Sequence, residues 1–411
     1  MRIRHRLSFF VRLISFFYCT FAANKPHTFL TPTIGILGGG QLGLMLLQAA
    51  IDWNLRVHVL DPDADAPCRT LCTQFTTGSL TDYDTVYQFG QSVDVLTIEI
   101  ERVNVDALEA LEREGKRVYP QPSVIRTIQD KRLQKQFYRE HNLPTADFIL
   151  TDDRADAARH GDFLPAFHKL GRDGYDGRGV QRIATTADFD KAFDAPGLLE
   201  KAVDFEKELA VIVARNARGE VQTFPTVEMV FHPELNLVEY LFAPAEITAA
   251  VDQQAQAIAR QTADAFGIVG ILAVEMFLDK QGQVLINEVA PRPHNSGHHT
   301  IQANVTSQFE QHWRAILNYP LGDTTFYQPA AMLNLLGEAG HTGPAEYEGL
   351  ENLLAMPGVF PFFYGKAITK PFRKMGHVTV MDADMNALRQ KVDRVKTGIR
   401  VISATDESAE K

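Results

Sequence analysis

From Thr33 onward, short unbroken apolar runs alternate with amphipathic stretches. Thr33-Ile-Gly-Ile-Leu-Gly38 reads as a buried strand, and Leu44-Met-Leu-Leu-Gln-Ala-Ala50 as part of the helix that follows it. Residues 55–60 read as a second strand ending at Asp61, 93–101 as a third, 104–115 as a helix and 116–119 as a further strand. Strand and helix taken in turn predict an α/β unit. An amphipathic helix over 123–141, rich in Lys and Arg, then leads to Leu143-Pro144, a breaker that suits a domain boundary. Beyond it, 163–170, 180–183 and 198–203 have strand character. Residues 271–278 and Leu285-Ile286 are two more strands, joined through Asp279-Lys-Gln-Gly282 as a hairpin.

At 411 residues and 45% hydrophobic content, the chain can bury a sizeable core and predicts two or three domains. Its net charge is -10, and no basic stripe with interleaved aromatics occurs past residue 31. Nucleic acid is therefore not the expected partner. Cys19, Cys68 and Cys72 are too few for a disulfide framework and lack zinc-site spacing, so reduced thiols in a cytosol are expected. The N-terminal residues complicate this. Met1-Arg-Ile-Arg-His-Arg6 is basic and the stretch to Ala23 largely apolar, the look of a secretory signal ending at Phe21-Ala-Ala23. It is too short and interrupted for a membrane span. With reduced thiols expected in the remainder, a cytoplasmic protein is expected, off the membrane. Its true start would lie downstream of this segment, or 1–32 would be a disordered appendage.

Candidate chemistry sits in three places. Gly38-Gly-Gly-Gln-Leu-Gly43, with Asp61 about twenty residues on, fits the dinucleotide fingerprint. Two readings stand: an NAD-dependent oxidoreductase, or a helix N-terminus that holds the phosphate of a small sugar phosphate. Gly171-Arg-Asp-Gly-Tyr-Asp-Gly-Arg-Gly179 puts four glycines into nine residues between two strands. With Lys169 before it and Arg178 within it, such a loop suits backbone amides closing over phosphate; a flexible surface hairpin is the alternative. Finally, Glu275 interrupts an apolar strand, and the hairpin would set it beside Glu288 with Asn287 adjacent. An acid in an apolar run needs a cation, and two carboxylates with an amide oxygen suit Mg²⁺. Strand-end acids facing solvent would look the same.

Taken together, several motifs resemble the ATP-grasp carboxylate–amine ligases. They are the lysine strand before Gly-Tyr-Asp-Gly-Arg-Gly, the strand Glu-Lys-Ala-Val, and Val-Glu-Met-Phe paired with Ile-Asn-Glu-Val-Ala-Pro-Arg. Within that class, Pro-Arg-Pro-His-Asn-Ser-Gly-His is similar to the N5-carboxyaminoimidazole ribonucleotide synthetase family, and the resemblance runs from about Thr33 to about Ile402. It implies an ATP-grasp fold of mixed α/β class. An extension over 1–32 would precede a Rossmann-like pre-ATP-grasp substrate domain (33–133), a lid domain (134–203) and a C-terminal domain with the metal and phosphate sites (204–411).

The resemblance also implies ATP with Mg²⁺, Mn²⁺ being the alternative ion. Lys131 and Lys169 would contact phosphates, covered by the loop of Gly174, Tyr175, Asp176, Gly177, Arg178 and Gly179. Glu200, Lys201, Ala202 and Val203 would line the adenine pocket, with Glu208 on the ribose and His232, in a loosely matching stretch, near the nucleotide. Glu275 and Glu288 would hold the metal beside Asn287. Gln41, Leu42, Glu99, Asn295 and Ser296 would face the substrate nucleotide, and Lys366, Arg373 and Lys374 would grip its phosphate. Arg292, His294 and Lys169 would serve catalysis, His294 as a proton handler or a simple donor. The implied reaction joins bicarbonate to 5-aminoimidazole ribonucleotide with ATP, through carboxyphosphate, in a homodimer. Formate-dependent glycinamide ribonucleotide transformylase is the nearest alternative. One departure stands out: the family's opening turn continues Gly-Gln-Leu-Gly-Arg-Met, whereas Leu44 precedes Met45 here. The C-terminal cations would then carry more of the phosphate binding.

Overall fold

Among the residues described by the computed structural model (32–172, 174, 179–231 and 238–404), the strands form four sheets. The first is parallel: β1 (Thr33–Leu37), β2 (Arg56–Asp61), β3 (Gln74–Thr77), β4 (Val95–Ile98) and β5 (Arg117–Val118), in the order β3-β2-β1-β4-β5. Its apolar runs are unbroken because both faces are covered. Ile34, Ile36, Val57 and Val59 pack with Met45, Leu46 and Leu47 of the helix Gln41–Ile51. Leu37, Leu60, Leu96 and Ile98 pack with Val86, Phe89 and Leu108 from the helices Tyr83–Gln91 and Val105–Arg113. β3 is a half-exposed edge strand, Gln-Phe-Thr-Thr, with too little apolar pattern to predict. The strand order reverses between β1 and β4, so the carboxyl ends of these two strands border the crevice where open α/β sheets place ligands.

The single helix expected over 123–141 is two, Pro122–Ile128 and Lys131–Glu140. Asp130 breaks it by capping the second helix, accepting the Arg132 amide at 3.0 Å. A small antiparallel sheet follows, β6 (Phe148–Thr151), β7 (Ala166–Leu170), β8 (Val180–Ile183) and β9 (Gly197–Lys201), in the order β6-β9-β7-β8.

The largest sheet contains β10 (Phe205–Arg215), β11 (Val221–Thr223), β12 (Val227–Phe231), β13 (Val238–Ala243), β14 (Gly270–Asp279), β15 (Val284–Ala290) and β16 (Ala330–Leu336). β17 (Gly343–Glu348), β19 (Ile368–Thr369) and β21 (Arg400–Ser403) form a separate small sheet, while β18 (Val359–Phe363) and β20 (Lys374–Met381) extend the large one. Its order is β15-β14-β10-β12-β13-β16-β20-β18, with β11 on β10. The helix Ala249–Phe266 lays Ala255, Ile258 and Ala259 on Leu209, Val211, Leu272, Val274 and Ile286. No helix among the described residues is long and apolar enough to cross a membrane.

The first sheet and the C-terminal half share one core. Phe309, Trp313 and Ile316 of the helix Gln308–Ile316, with Tyr364, pack on the Gln41–Ile51 helix, and Trp313 donates its indole N–H to the Leu46 carbonyl at 2.9 Å. Leu44 lies in this core at 8% exposure. Trp313→Ala is expected to lower stability by about 3–5 kcal/mol, read from the denaturant midpoint, since it opens a cavity at the joint. A shift below about 1 kcal/mol would show that the two halves stand without this contact.

Candidate functional site

The hairpin of β14 and β15 places Glu275 directly opposite Glu288. Just beyond this pair the register slips: Met276 faces Ile286, leaving Asn287 as an extra residue on β15. A regular strand would send Asn287 and Glu288 to opposite faces. The bulge instead keeps Ile286 and Val289 in the core, at 1% and 6% exposure, and leaves both polar neighbours within reach of lysines on the same side. Lys131 Nζ reaches Glu288 at 2.7 Å and Lys169 Nζ reaches the Asn287 amide oxygen at 3.4 Å. His294 Nε2 lies 3.3 Å from Glu275.

The charges are unevenly matched. Lys131 holds the Glu288 carboxyl well below the usual range, whereas burial and then the Glu288 charge push Glu275 up. Glu275 thus sits where its anion is under-compensated by the protein. Hard oxygens from two acids and one amide fit Mg²⁺, and they leave most of its shell to phosphates and water. Among the described residues no group of three His, Cys, Asp or Glu is arranged to hold a metal. Burial raises Glu208, on β10, to about 7, with the Glu288 charge adding to it. His294 is pushed down to about 3, first by burial and then by Arg292, so the imidazole is neutral at pH 7.

The lid sheet stands across this hairpin. Lys169, on β7, donates to Glu200 Oε1 on β9 at 2.8 Å. Burial alone would raise Glu200, but the Lys169 and Lys135 charges draw it to about 2. Lys201 turns its ammonium into the lid, onto the carbonyls of Phe163 and Leu164 at 3.0 Å each. The Lys201 and Ala202 amides are spent on Asp147 and Pro165. The glycine loop starts and ends between β7 and β8: Leu170 N–H bonds the Gly179 carbonyl at 2.9 Å, and Gly179 has φ +79°. A Cβ there would stand 3.0 Å from Gly174 Cα, so the loop's two ends close on each other. Tyr175, Asp176, Gly177, Arg178 and His232 lie outside the described residues.

The opening glycine turn departs from expectation. Its amides already have carboxylates: Glu99 accepts from Gly40 at 2.9 Å, Leu42 at 3.1 Å and Gly43 at 3.0 Å, and Asp61 accepts from Gly39 at 2.6 Å. A Cβ on Gly38, at φ +101°, would stand 2.5 Å from Glu99 Cγ. The glycines therefore make room for a protein acid, and a dinucleotide pyrophosphate finds the helix N-terminus taken. Glu99 is 8% exposed, its carboxyl raised by burial despite these bonds, and it anchors the turn that presents Gln41.

Gln41 in turn links the first sheet to the C-terminal cations. Lys366 Nζ donates to Gln41 Oε1 at 2.9 Å and to the Lys374 carbonyl at 2.7 Å. Burial, followed by the charge of Arg373, lowers Lys366 to about 8, and the Lys374 charge adds to this. Arg373 also bonds the Ile368 carbonyl at 2.6 Å. Arg292 is held by Glu101, from the loop after β4, at 2.9 Å. Ser296 shares a 2.9 Å bond with His294 Nδ1, and the Asn295 amide oxygen is buried with no partner among the described residues. The sequence places Glu101, with Glu99, at the strand end where open parallel sheets bind ligands, but does not show its partner Arg292, and it gives Lys135 no role at all. Lys135 had a signal: it lies four residues after Lys131, on the same helix face.

A glycine-laced lid opposed to a bulged hairpin that carries two acids and an amide, set on a Rossmann-like layer, defines an ATP-grasp ligase. Three family models match the chain in order: the ribonucleotide synthetase preATP-grasp domain over 31–129, the ATP-grasp domain over 136–309, and the phosphoribosylaminoimidazole carboxylase C-terminal domain over 330–391. N5-carboxyaminoimidazole ribonucleotide synthase of Synechococcus elongatus is 38% identical over 358 residues, covering 84% of this chain and 89% of the relative. The synthetase of Thermotoga maritima, a solved structure, is 41% identical with a TM-score of 0.85, covering 91% of this chain and 100% of that one. The Aspergillus clavatus synthase in complex with ADP and 5-aminoimidazole ribonucleotide is 34% identical with a TM-score of 0.82, covering 89% and 98%. The phosphoribosylaminoimidazole carboxylase of Vigna aconitifolia is 37% identical over 87% of this chain, which spans 66% of that longer relative. The chain belongs to the N5-carboxyaminoimidazole ribonucleotide synthase family, and it is an ATP-dependent carbon–nitrogen ligase.

Proposed function

We infer that this chain carboxylates 5-aminoimidazole ribonucleotide with ATP and bicarbonate, giving N5-carboxyaminoimidazole ribonucleotide, ADP and phosphate in purine biosynthesis. The observation that carries the reading is the bulge that aims Asn287 and Glu288 together at Lys169 and Lys131. Phosphoryl transfer needs positioning and charge stabilisation above all, and these groups supply both. Glu275, Glu288 and the Asn287 oxygen would hold Mg²⁺, which would neutralise charge on the transferring phosphoryl group.

A bicarbonate oxygen attacks the γ-phosphorus, ADP leaves, and carboxyphosphate forms. The substrate amine then takes the carboxyl carbon and phosphate leaves. Arg292, fixed by Glu101, would face the substrate nucleotide, and His294, bonded through Nδ1 to the Ser296 hydroxyl, would stand beside it as a proton handler or a simple hydrogen-bond donor. Lys366, Arg373 and Lys374 grip the ribose phosphate through charge-assisted bonds. The unpartnered Asn295 oxygen supports a ligand donor beside Ser296. Carboxyphosphate hydrolyses readily, so a closing glycine loop has a purpose.

Under a coupled ADP assay, turnover is expected with bicarbonate plus 5-aminoimidazole ribonucleotide. Turnover with formate plus glycinamide ribonucleotide would overturn the reading in favour of the transformylase. A homodimer and a cytosolic setting belong to the same reading. Sedimentation and mass spectrometry of the native N-terminus test them.

A further inference from the structure

Lys135 sits inside a helix whose cationic composition suggests a solvated face, yet it is 2% exposed. Its ammonium lies 2.6 Å from Glu200 Oε2 and donates to the Thr145 hydroxyl. Thr145 passes the connection on, donating to the Ile286 carbonyl at 2.8 Å, and the two residues form a parallel bridge reinforced by Ile286 N–H to the Pro144 carbonyl at 2.8 Å. On its other oxygen Glu200 accepts Lys169, which reaches Asn287. The path is therefore a closed circuit. It leaves β15 at Ile286, runs through Thr145, Lys135, Glu200 and Lys169, and returns at Asn287, the next residue.

Two features give this circuit a direction. Side-chain exposure is 3% at Lys135 and Glu200 and 13% at Lys169, so of the three charged members Lys169 is the one that opens to the cleft. The three charges sum to one positive. With Lys135 on one carboxylate oxygen, Glu200 cannot pair fully with Lys169, which keeps donor capacity and positive field for the nucleotide. A buried carboxylate shared in this way is also rigid, because removing either cation would leave a desolvated oxygen unpaired.

We propose that Lys135 is a positioning residue for the phosphoryl-transfer step: through Glu200 and Thr145 it fixes the lid lysine, Lys169, at a set distance from the bulged strand. The proposal rests on the ATP-grasp reading above and deepens it. Burial holds the Lys135 ammonium down at about 8, consistent with a sealed group that depends on its partners.

The test is steady-state kinetics of Lys135→Met and Thr145→Val against the unmodified chain, varying ATP and 5-aminoimidazole ribonucleotide separately. Lys135→Met is expected to lower kcat/KM for ATP by about 10- to 100-fold, as loss of a supporting contact does, with KM for the ribonucleotide unchanged. Thr145→Val, nearly isosteric, is expected to move the same parameter in the same direction by a smaller factor. A purely structural role would reduce the amount of folded enzyme and leave both KM values alone. Should Lys135→Met fail to fold, Thr145→Val decides. If the folded variants keep kcat and KM for ATP within about twofold of the parent, the proposal is overturned. Failure of the ATP-grasp reading itself looks different: the unmodified chain would show no ATP turnover dependent on bicarbonate and the ribonucleotide.

Discussion

Replacing Glu288 with alanine is expected to abolish ATP turnover, a loss of at least about 10³-fold or ~4 kcal/mol of transition-state stabilisation. The size follows from what the residue does at once. It is one of the two acids paired across β14 and β15, and it holds Lys131 at 2.7 Å. Without it, the metal site keeps one acid and one amide, and Lys131 loses its anchor. Folding should survive, because the Glu288 side chain is 46% exposed and leaves no sealed cavity. An unchanged thermal melt with no ADP release is the expected pair of results. Near-normal ADP release would refute the assignment of these acids to the metal.

Lys366→Ala is expected to raise KM for the ribonucleotide by about 10- to 100-fold, the value of one charge-assisted phosphate contact, while KM for ATP stays fixed. A pH profile sharpens the test. Burial lowers the Lys366 ammonium to about 8, so its charge is complete below that pH and lost above it. The kcat/KM for the ribonucleotide, which reports the free enzyme, should therefore fall on the alkaline side of about 8. In the alanine variant that limb should vanish. Should it persist, or KM stay at the parent value, the phosphate is held elsewhere. The burial of Leu44 raises the stakes, since the turn has no arginine where the family usually carries one.

The pairing of Glu275 with Glu288 was legible in the chain. Two apolar runs of strand length around Asp279-Lys-Gln-Gly282 leave a hairpin as the economical connection, and a hairpin sets the register. The bulge was not legible. Asn287 looks the same in sequence whether it faces core or cleft, and only the packing of Ile286 and Val289 settles it. The glycine turn misled for a related reason. Glycines report that something approaches the backbone closely, without saying whether it is a phosphate or, as here, Glu99, just past the end of β4 and more than fifty residues away. The break at Asp130 was hidden because Asp tolerates a helix interior in pattern terms, and its capping role appears only with the geometry.

What the sequence determined by itself is what covalent neighbours enforce: strand and helix periods, the hairpin, the breakers at proline and glycine, and the residue types that resemble one ligase family. These are local, because side-chain period and turn chemistry act over a few residues. What the tertiary structure decided is which distant charged and polar groups share a space. Lys135 with Glu200, Lys366 with Gln41, and Arg292 with Glu101 each join segments whose meeting depends on the packing of whole sheets. A buried charge must find its partner wherever the fold brings one, and that choice is written in three dimensions rather than along the chain.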